Sequence, residues 1–281
     1  MIKANDRPAA IITVEDMTAA YEGEVILDRI SFQVFPGEVF IILGGSGCGK
    51  STLLKHMIGL YKPASGRILI GDLDVVTAQG EERLRILRRI GVMYQAGALF
   101  GSMTVLENVR LPLEEFTGLP SEAMDMIARM KLSLVGLTGF EDHLPSEISG
   151  GMKKRAAIAR AMALDPEIMF LDEPSAGLDP ITSAELDQLI LNLAGNLNMT
   201  FVVVTHELPS IYAIADRVIM LDKNVKGIVA EGRPQDLRDQ SDNEWVRRFF
   251  NREAEPPRKS SDETGPEKDR SVGRTGGEWT A

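Results

Sequence analysis

The sequence predicts an α/β fold built on a parallel sheet, with a helical segment inserted into it. Three observations predict this fold. Unbroken apolar runs, typical of strands that are buried on both faces, stand at residues 39–43, 168–171 and 201–204. A glycine-rich loop follows the first run, and helical periodicity fills the chain between the second and third runs. Strands and helices that alternate in this way form parallel sheets.

The remaining elements continue the alternation along the chain. Strand-type segments outside the three runs lie at residues 10–14, 25–27, 30–35, 66–73, 218–221 and 228–229. Helical periodicity lies at residues 50–60, 104–116, 121–136, 151–164 and 182–196. Pro112, Pro120 and the loop 146–151 separate the middle segments, so we expect the block from about 95 to 164 to be a helical insertion.

Apolar content divides the chain into one expected domain, residues 1–251, and a tail, residues 252–281. The tail holds seven acidic and six basic side chains and three prolines, with Val272 and Trp279 as its only large apolar side chains. So little apolar surface cannot offset the entropy of ordering, and the tail is expected to be a disordered polar segment.

The end of the expected domain, residues 243–251, carries an amphipathic pattern. One helical face collects its large apolar side chains, Trp245, Val246, Phe249 and Phe250. Packing onto the chain's own core is the expected role of this face. Docking to a second protomer or to an accessory subunit is the alternative.

The composition excludes several classes of protein. The 281 residues carry a net charge of −10, which argues against a general nucleic-acid binder. No apolar run approaches the roughly 18 residues that span a bilayer, and the first residues lack the plan of a signal peptide. The single cysteine, Cys48, rules out an intrachain disulfide and fits a reducing compartment. If the protein serves a membrane, we expect it to dock to a partner that spans it.

The first motif is a phosphate-binding loop directly after the buried run 39–43. Its sequence, Gly44-Gly45-Ser46-Gly47-Cys48-Gly49-Lys50-Ser51-Thr52, satisfies G-x-x-x-x-G-K-[ST]. The glycines let successive N–H groups turn inward around phosphates at the positive end of the next helix. Lys50 offers a cation to the β- and γ-phosphates, and Ser51 offers a hydroxyl to Mg²⁺. Cys48 is expected to be a small filler, and a glycine-rich turn without ligand is the alternative for the loop.

The second motif is a pair of acids at the end of the run 168–171. Asp172 and Glu173 follow a predicted parallel strand, and ligands of open α/β sheets bind at that end. We expect Asp172 to hold Mg²⁺ and Glu173 to polarise the attacking water as general base. The alternative for an isolated acidic pair is a helix cap.

The third motif, Ser149-Gly150-Gly151, stands before a predicted helix. It presents a hydroxyl and bare N–H groups at a positive helix end. A second phosphate-contacting helix start suits a protein in which two copies meet and each completes the nucleotide site of the other. A plain helix N-cap is the alternative.

Together these motifs, with Leu171-Asp172-Glu173-Pro174 and Ser175-Ala176-Gly177-Leu178-Asp179, resemble those of ABC transporter nucleotide-binding subunits in order and spacing. The resemblance covers roughly residues 10–235. It implies a P-loop core with a small antiparallel β subdomain and an inserted helical subdomain, a homodimer, and ATP with Mg²⁺. By position, Tyr21 resembles the residue that stacks on adenine, and Gln95 the glutamine that senses Mg²⁺ and the γ-phosphate. Asp179 resembles the residue linking the two sites, and His206 the histidine that orients the γ-phosphate and water.

The surroundings of Gln95 and Gly151 are similar to the ATPases of Mce-type lipid transport systems, and in particular to the Mla phospholipid-trafficking ATPases of Gram-negative bacteria. Met152 replaces a glutamine common in the wider family. This resemblance implies a separate integral membrane permease, a Mce-type substrate-binding protein, a small accessory subunit and a place at the cytoplasmic face of the inner membrane. The alternatives are an ATPase of a polar-solute importer and a non-transport ABC ATPase.

An apolar cluster directly after Gln95 is the expected contact with the permease. It consists of Ala98, Leu99, Phe100 and Met103. If the cluster is exposed, it forms a socket for a partner's helix. Burial within the helical insertion is the alternative.

Overall fold

The computed structural model describes residues 8–253. Except for Arg252 and Glu253, the predicted tail 252–281 lies outside the described residues, so its disorder and the domain limit at residue 251 stay predictions. In the described part of the chain, no helix combines the length and the apolar character that crossing a membrane requires.

Two sheets and helices on both faces of the larger sheet make up the described chain. The strands are β1 (Ile12–Tyr21), β2 (Glu24–Val34), β3 (Val39–Gly44), β4 (Ser65–Ile70), β5 (Leu73–Asp74), β6 (Ile90–Met93), β7 (Ile168–Asp172), β8 (Thr200–Val204), β9 (Arg217–Asp222) and β10 (Gly227–Gly232). The helices are α1 (Lys50–Met57), α2 (Gly80–Arg89), α3 (Val105–Phe116), α4 (Ser121–Leu134), α5 (Gly150–Ala161), α6 (Pro180–Leu197), α7 (Leu208–Ile214), α8 (Pro234–Gln240) and α9 (Glu244–Asn251).

The larger sheet has six strands in the order β10-β9-β3-β8-β7-β6. All neighbouring pairs are parallel except β10 with β9. Strands β3 and β8 are buried along their whole length, as the apolar runs predict. This arrangement confirms the predicted α/β fold, and it aligns the carboxyl ends of β3, β7 and β8 along one edge of the sheet.

The smaller sheet is antiparallel, in the order β2-β1-β4-β5, and confirms the β subdomain that the resemblance implies. Segments 25–27 and 30–35 belong to one strand, β2, because irregularities in its pairing with β1 absorb the interruption between them. The hairpin turn lies at Glu22 and Gly23, both with positive φ. Side chains of β2 then pack over the phosphate-binding loop, with Leu27 beside Gly49.

Helices α3, α4 and α5 pack on one another between β6 and β7. A capping box of Thr104 and Glu107 starts α3, and the helix continues through Pro112, where the sequence predicts a separation. The proline removes one main-chain hydrogen bond, and burial of Val105 and Val109 outweighs that loss.

Four elements, α2, β6, α7 and α8, fall outside the segments that the sequence pattern predicts. Helix α2 buries only Ile86, so it lacks a wide apolar face. Strand β6 follows α2 without a connecting loop and is short. Local periodicity is weak evidence for elements of this kind, since neighbouring strands and helices stabilise them.

Candidate active site

The phosphate-binding loop joins β3 to α1 at the carboxyl edge of the larger sheet. Gly49 precedes the helix with φ of 99°, in the left-handed region that favours glycine. An added Cβ at Gly44 would lie 2.6 Å from Cys48 Sγ, so the chain approaches itself too closely there for any side chain. Cys48 is buried, as expected of a small filler, and burial raises the pKa of its thiol. Lys50 Nζ donates to the carbonyl oxygens of Gly44 and Gly45 at 2.9 and 3.1 Å, which holds the ammonium within the loop.

Glu173 and His206 meet beside this loop because of the register between β7 and β8. Asp172 pairs with Val204, so the residues that follow the two strands emerge at the same level. His206 Nδ1 lies 2.8 Å from Glu173 Oε1. The Glu173 side chain is 12 % exposed, whereas that of His206 is 62 % exposed, so the acid is shielded from solvent and the ring is open to it.

The backbone of Glu173 adopts φ of 48°, a left-handed conformation that non-glycine residues rarely use. Its N–H donates to the carbonyl oxygen of Val204 at 2.8 Å, so the strained residue is still tied to the sheet. Strain of this kind concentrates at functional sites, where the surrounding structure over-determines the conformation. The turn therefore fixes where the Glu173 carboxylate points.

Burial and the neighbouring charge of Glu173 raise the pKa of Asp172, while Lys55, the Ser51 hydroxyl and Lys50 oppose that rise. Two carboxylate oxygens here, Asp172 Oδ1 and Glu173 Oε2, are buried without a hydrogen-bond partner in the described chain. An unpaired buried carboxylate is costly, and a divalent cation or ordered water would satisfy it. Hard oxygen ligands beside a phosphate-binding loop suit Mg²⁺, so the residues present fit this ion.

Ser149 is the N-cap of α5. A plain N-cap is the alternative that the sequence analysis gave to a phosphate contact. Its Oγ accepts a hydrogen bond from the N–H of Met152 at 3.2 Å, which leaves the hydroxyl hydrogen available as a donor. Ser149 and Gly150 are exposed, whereas Gly151 is buried against α6. An added Cβ at Gly151 would lie 2.5 Å from Thr182 Cγ2, so packing within the chain already requires glycine at that position.

Within residues 8–253, Asp179 and Tyr21 make no hydrogen bond to Asp172, Glu173 or His206. Asp179 caps α6, and its hydrogen bonds with Thr182 lower the pKa of its carboxyl. Tyr21 ends β1 with a side chain that is 64 % exposed. It lies on the hairpin whose second strand packs over Gly49. An exposed aromatic ring on this hairpin suits stacking on a base.

Lys154 is a residue of the site that the motif analysis missed. It lies on α5, is 8 % exposed, and donates to the carbonyl oxygen of Gln95 and, at 3.5 Å, to that of Glu173. Burial lowers the pKa of its ammonium, against the opposing charges of Asp172, Glu173 and Glu207. In the sequence it is one of three consecutive basic residues, and such a run is typical of a solvated helix face. The side chain of Gln95 itself is exposed.

The apolar cluster after Gln95 is divided between surface and core. Ala98 and Phe100 are exposed, Phe100 by 51 %, whereas Leu99 and Met103 are half-buried and Leu99 packs against the core. Asn108, fully buried on α3, holds the segment in place. Its amide nitrogen donates to the carbonyl oxygens of Phe100 and Met103, and its Oδ1 accepts from the N–H of Phe100. A fixed segment therefore presents Phe100 to solvent.

Helix α9 packs onto the chain's own core, as expected of its apolar face. Val246 and Phe250 are buried, and Trp245 and Phe249 pack beside them. The Tyr212 hydroxyl on α7 donates to the carbonyl oxygen of Phe250 at 3.1 Å. The alternative of a free docking face for a partner is wrong for the buried part of this helix.

Comparison with known families and sequences gives matches over most of the described chain. A family model described as ABC transporter matches residues 27–176. The chain is 41 % identical over 251 residues to the intermembrane phospholipid transport system ATP-binding protein MlaF of Escherichia coli K12, covering 89 % of this chain and 91 % of that protein. It is 40 % identical over 240 residues to the probable ribonucleotide transport ATP-binding protein mkl of Mycobacterium leprae, covering 85 % of this chain and 68 % of that protein.

Among solved structures, the chain resembles the ATP-binding cassette MJ0796, determined as a dimer in a post-hydrolysis state bound to ADP and Pi. The TM-score is 0.72 at 32 % sequence identity, covering 79 % of this chain and 98 % of that one.

Proposed function

Since the chain belongs to the ABC transporter family and is an ATP-hydrolysing subunit of such a transporter, we propose that it powers the movement of phospholipid, or a similar hydrophobic molecule, across the cell envelope. A separate permease would carry the transported molecule. The observation that supports hydrolysis in this chain is the Glu173–His206 pair, 2.8 Å apart beside the phosphate-binding loop. The lipid assignment draws on the likeness to MlaF, which spans 91 % of that protein.

In the proposed mechanism, Lys50 and the loop N–H groups bind the phosphates of ATP, and Tyr21 stacks on the adenine. Ser51, Asp172 and Gln95 would hold the Mg²⁺ that accompanies ATP, which would supply positive charge beside the phosphates. Glu173 takes the proton of the attacking water, and His206 orients that water and the γ-phosphate. The fixed, buried position of the Glu173 carboxylate supports the role of base, because a general base must already point at its proton.

A homodimer would complete each site. Ser149 and Gly150 are exposed at the start of α5, where N–H groups and the helix dipole favour an anion. We assign Ser149, Gly150 and Gly151 of each copy to the nucleotide held by Lys50 of the other copy, and Asp179 to the contact between the two copies. Dimeric MJ0796 is a precedent for the assembly of such cassettes in pairs.

The permease would dock at the exposed side of the segment 96–103, where Phe100 is presented to solvent. By resemblance we further propose a Mce-type substrate-binding protein, a small accessory subunit and a location at the cytoplasmic face of the inner membrane. Nucleic acid is not proposed as a partner, because the net charge is −10. Residues 1–251 are proposed as the ATPase domain and residues 252–281 as a disordered tail.

A polar-solute transporter is the competing assignment, because mkl is named for ribonucleotide transport. The test is to purify the intact complex from native membranes, reconstitute it in vesicles, and follow ATP-driven movement of labelled phospholipid and labelled ribonucleotide. We expect phospholipid to move and Glu173→Gln to abolish that movement. Movement of ribonucleotide without phospholipid would refute the lipid assignment in favour of a polar-solute transporter. ATP hydrolysis without movement of either molecule would refute both assignments and support only the ATPase activity.

A further inference from the structure

Two cations of α5, the buried Lys154 and the half-buried Arg160, donate hydrogen bonds to the segment that begins at Gln95. Lys154 Nζ donates to the carbonyl oxygen of Gln95. Arg160 Nη1 and Nη2 donate to the carbonyl oxygens of Ala98 and Gly97, the two bonds at 2.6 and 2.8 Å. Three of the four carbonyl groups of residues 95–98 therefore bind to a single helix.

The segment 95–98 also runs beside α5 between the contacts made by Lys154 and Arg160. An added Cβ at Gly97 would stand 3.5 Å from the Ala157 side chain and 3.7 Å from the carbonyl oxygen of Lys153. Gly97 itself has φ of 71°, in the left-handed region. The segment is thus held by charge-assisted hydrogen bonds from Lys154 and Arg160 and runs beside α5 between them.

The grip of Arg160 is not an ordinary surface ion pair. In the described chain no carboxylate lies within 4.0 Å of its guanidinium, and burial lowers the pKa of this group. A half-buried cation without counter-ion loses part of its hydration, and hydrogen-bond acceptors compensate that loss through charge-assisted bonds. Arg155 on the same helix is the ordinary case, since its guanidinium pairs with Glu185 at 2.9 Å.

We propose that Lys154 and Arg160 are positioning residues that make α5 and the segment 95–98 a single rigid unit. The inference rests on the proposed function, which assigns the start of α5 to the partner copy's nucleotide and Phe100 to the permease. A rigid helix of this length carries a displacement over about 18 Å from one end to the other. While the hydrogen bonds of Lys154 and Arg160 to the segment 95–98 are intact, a movement of Ser149 against a nucleotide moves Phe100 with it. Without these hydrogen bonds, α5 can move while the segment 95–98 stays in place.

The test measures coupling in the complete complex as the ratio of permease-stimulated ATPase to the ATPase of the isolated subunit. This ratio requires no knowledge of the transported molecule, so a wrong lipid assignment leaves it interpretable. We expect Arg160→Met to lower the stimulation roughly tenfold, within the usual range of coupling between sites, while isolated ATPase stays within about twofold. Arg160→Lys, which keeps a cation at this position, should restore most of the stimulation. Arg155→Met is the matched control and should keep it.

Equal stimulation in wild type and Arg160→Met would overturn the proposal, as would failure of Arg160→Lys to restore it. A second measurement holds even if Arg160→Met does not fold. In the wild-type complex, a nonhydrolysable ATP analogue should slow amide hydrogen exchange at the start of α5 and in residues 96–103 together. Protection of the helix start alone would refute the rigid unit, and protection at neither place would instead refute the paired nucleotide site.

Discussion

Replacing Glu173 by glutamine tests the assignment of the base most directly. The two side chains have nearly the same shape, so the change removes the charge and the ability to accept a proton without opening a cavity. Glutamine can still accept a hydrogen bond from His206, whose Nδ1 lies 2.8 Å from Glu173 Oε1. Nothing in the phosphate-binding loop is altered, since Lys50 binds to Gly44 and Gly45 rather than to this acid.

Loss of a general base lowers a rate roughly 100- to 10,000-fold, which raises the barrier by about 3–5 kcal/mol. We expect kcat for ATP hydrolysis to fall by this factor, while the affinity for ATP stays within about threefold. A closed dimer should accumulate with ATP, because hydrolysis no longer reopens it. Folding should not suffer, because Glu173 Oε2 is buried without a partner and the charge of Glu173 raises the pKa of Asp172. Removing that charge relieves repulsion between two buried acids.

The assay combines steady-state phosphate release, equilibrium binding of a fluorescent ATP analogue, and size-exclusion chromatography with and without ATP. Glu207→Gln is the matched control on the same sheet edge, since the Glu207 carboxylate accepts from the Ser183 hydroxyl and, in the described chain, makes no hydrogen bond to the His206 ring. Its kcat should stay within about threefold of wild type, as expected for a residue outside the proton transfer. Hydrolysis by Glu173→Gln at a comparable rate would show that another group accepts the proton.

Three further predictions concern packing, nucleotide binding and the permease. Gly151→Ala should destabilise the fold by about 1–3 kcal/mol, because the added methyl group overpacks against α6, and should therefore lower the melting temperature. Gly150→Ala, whose added methyl group meets Leu178 only at 3.7 Å, should leave the melting temperature unchanged or raise it. Equal melting temperatures for the two variants would contradict the close approach. Tyr21→Ala should raise KM for ATP roughly 5- to 150-fold with little change in kcat, and Tyr21→Phe should not, if stacking contributes about 1–3 kcal/mol. An unchanged KM in Tyr21→Ala would remove the ring from the adenine site. Phe100→Glu should abolish co-purification with the permease and leave isolated ATPase unchanged, while Met126→Glu, on the exposed side of α4, should bind the permease normally. Leu99 is unsuitable for this purpose, because it packs against the core.

The chemistry at the sheet edge follows from the sequence because its motifs are contiguous and attached to recognisable strands. Gly44–Thr52 and Asp172-Glu173 each follow an apolar run, and the carboxyl ends of parallel strands share an edge. That rule alone brings Glu173 near His206. The 2.8 Å contact depends in addition on the pairing of Asp172 with Val204, and no local pattern fixes that register.

The residues that the sequence could not reveal depend on tertiary packing. The sequence pattern places Lys154 and Arg160 as charges on a helix surface. Their contacts with the segment 95–98 arise only because that segment runs along α5. Pro112 fails as a boundary for the same reason, since its local preference is overridden by the buried face of α3. Periodicity describes one element at a time, so contacts between two elements lie beyond it.

Packing explains only one of the two glycines in Ser149-Gly150-Gly151. Gly151 is explained without any ligand, because an added Cβ would lie 2.5 Å from Thr182 Cγ2. Gly150 is exposed and has room for a methyl group, and alanine is the better helix former at an exposed position. Packing therefore does not account for Gly150, whereas the phosphate contact proposed for the start of α5 would require the backbone to approach closely there. We infer that Gly150→Ala will fold normally and hydrolyse ATP more slowly in the paired state. A variant with undiminished ATPase would remove the main structural reason to place a phosphate at the start of α5.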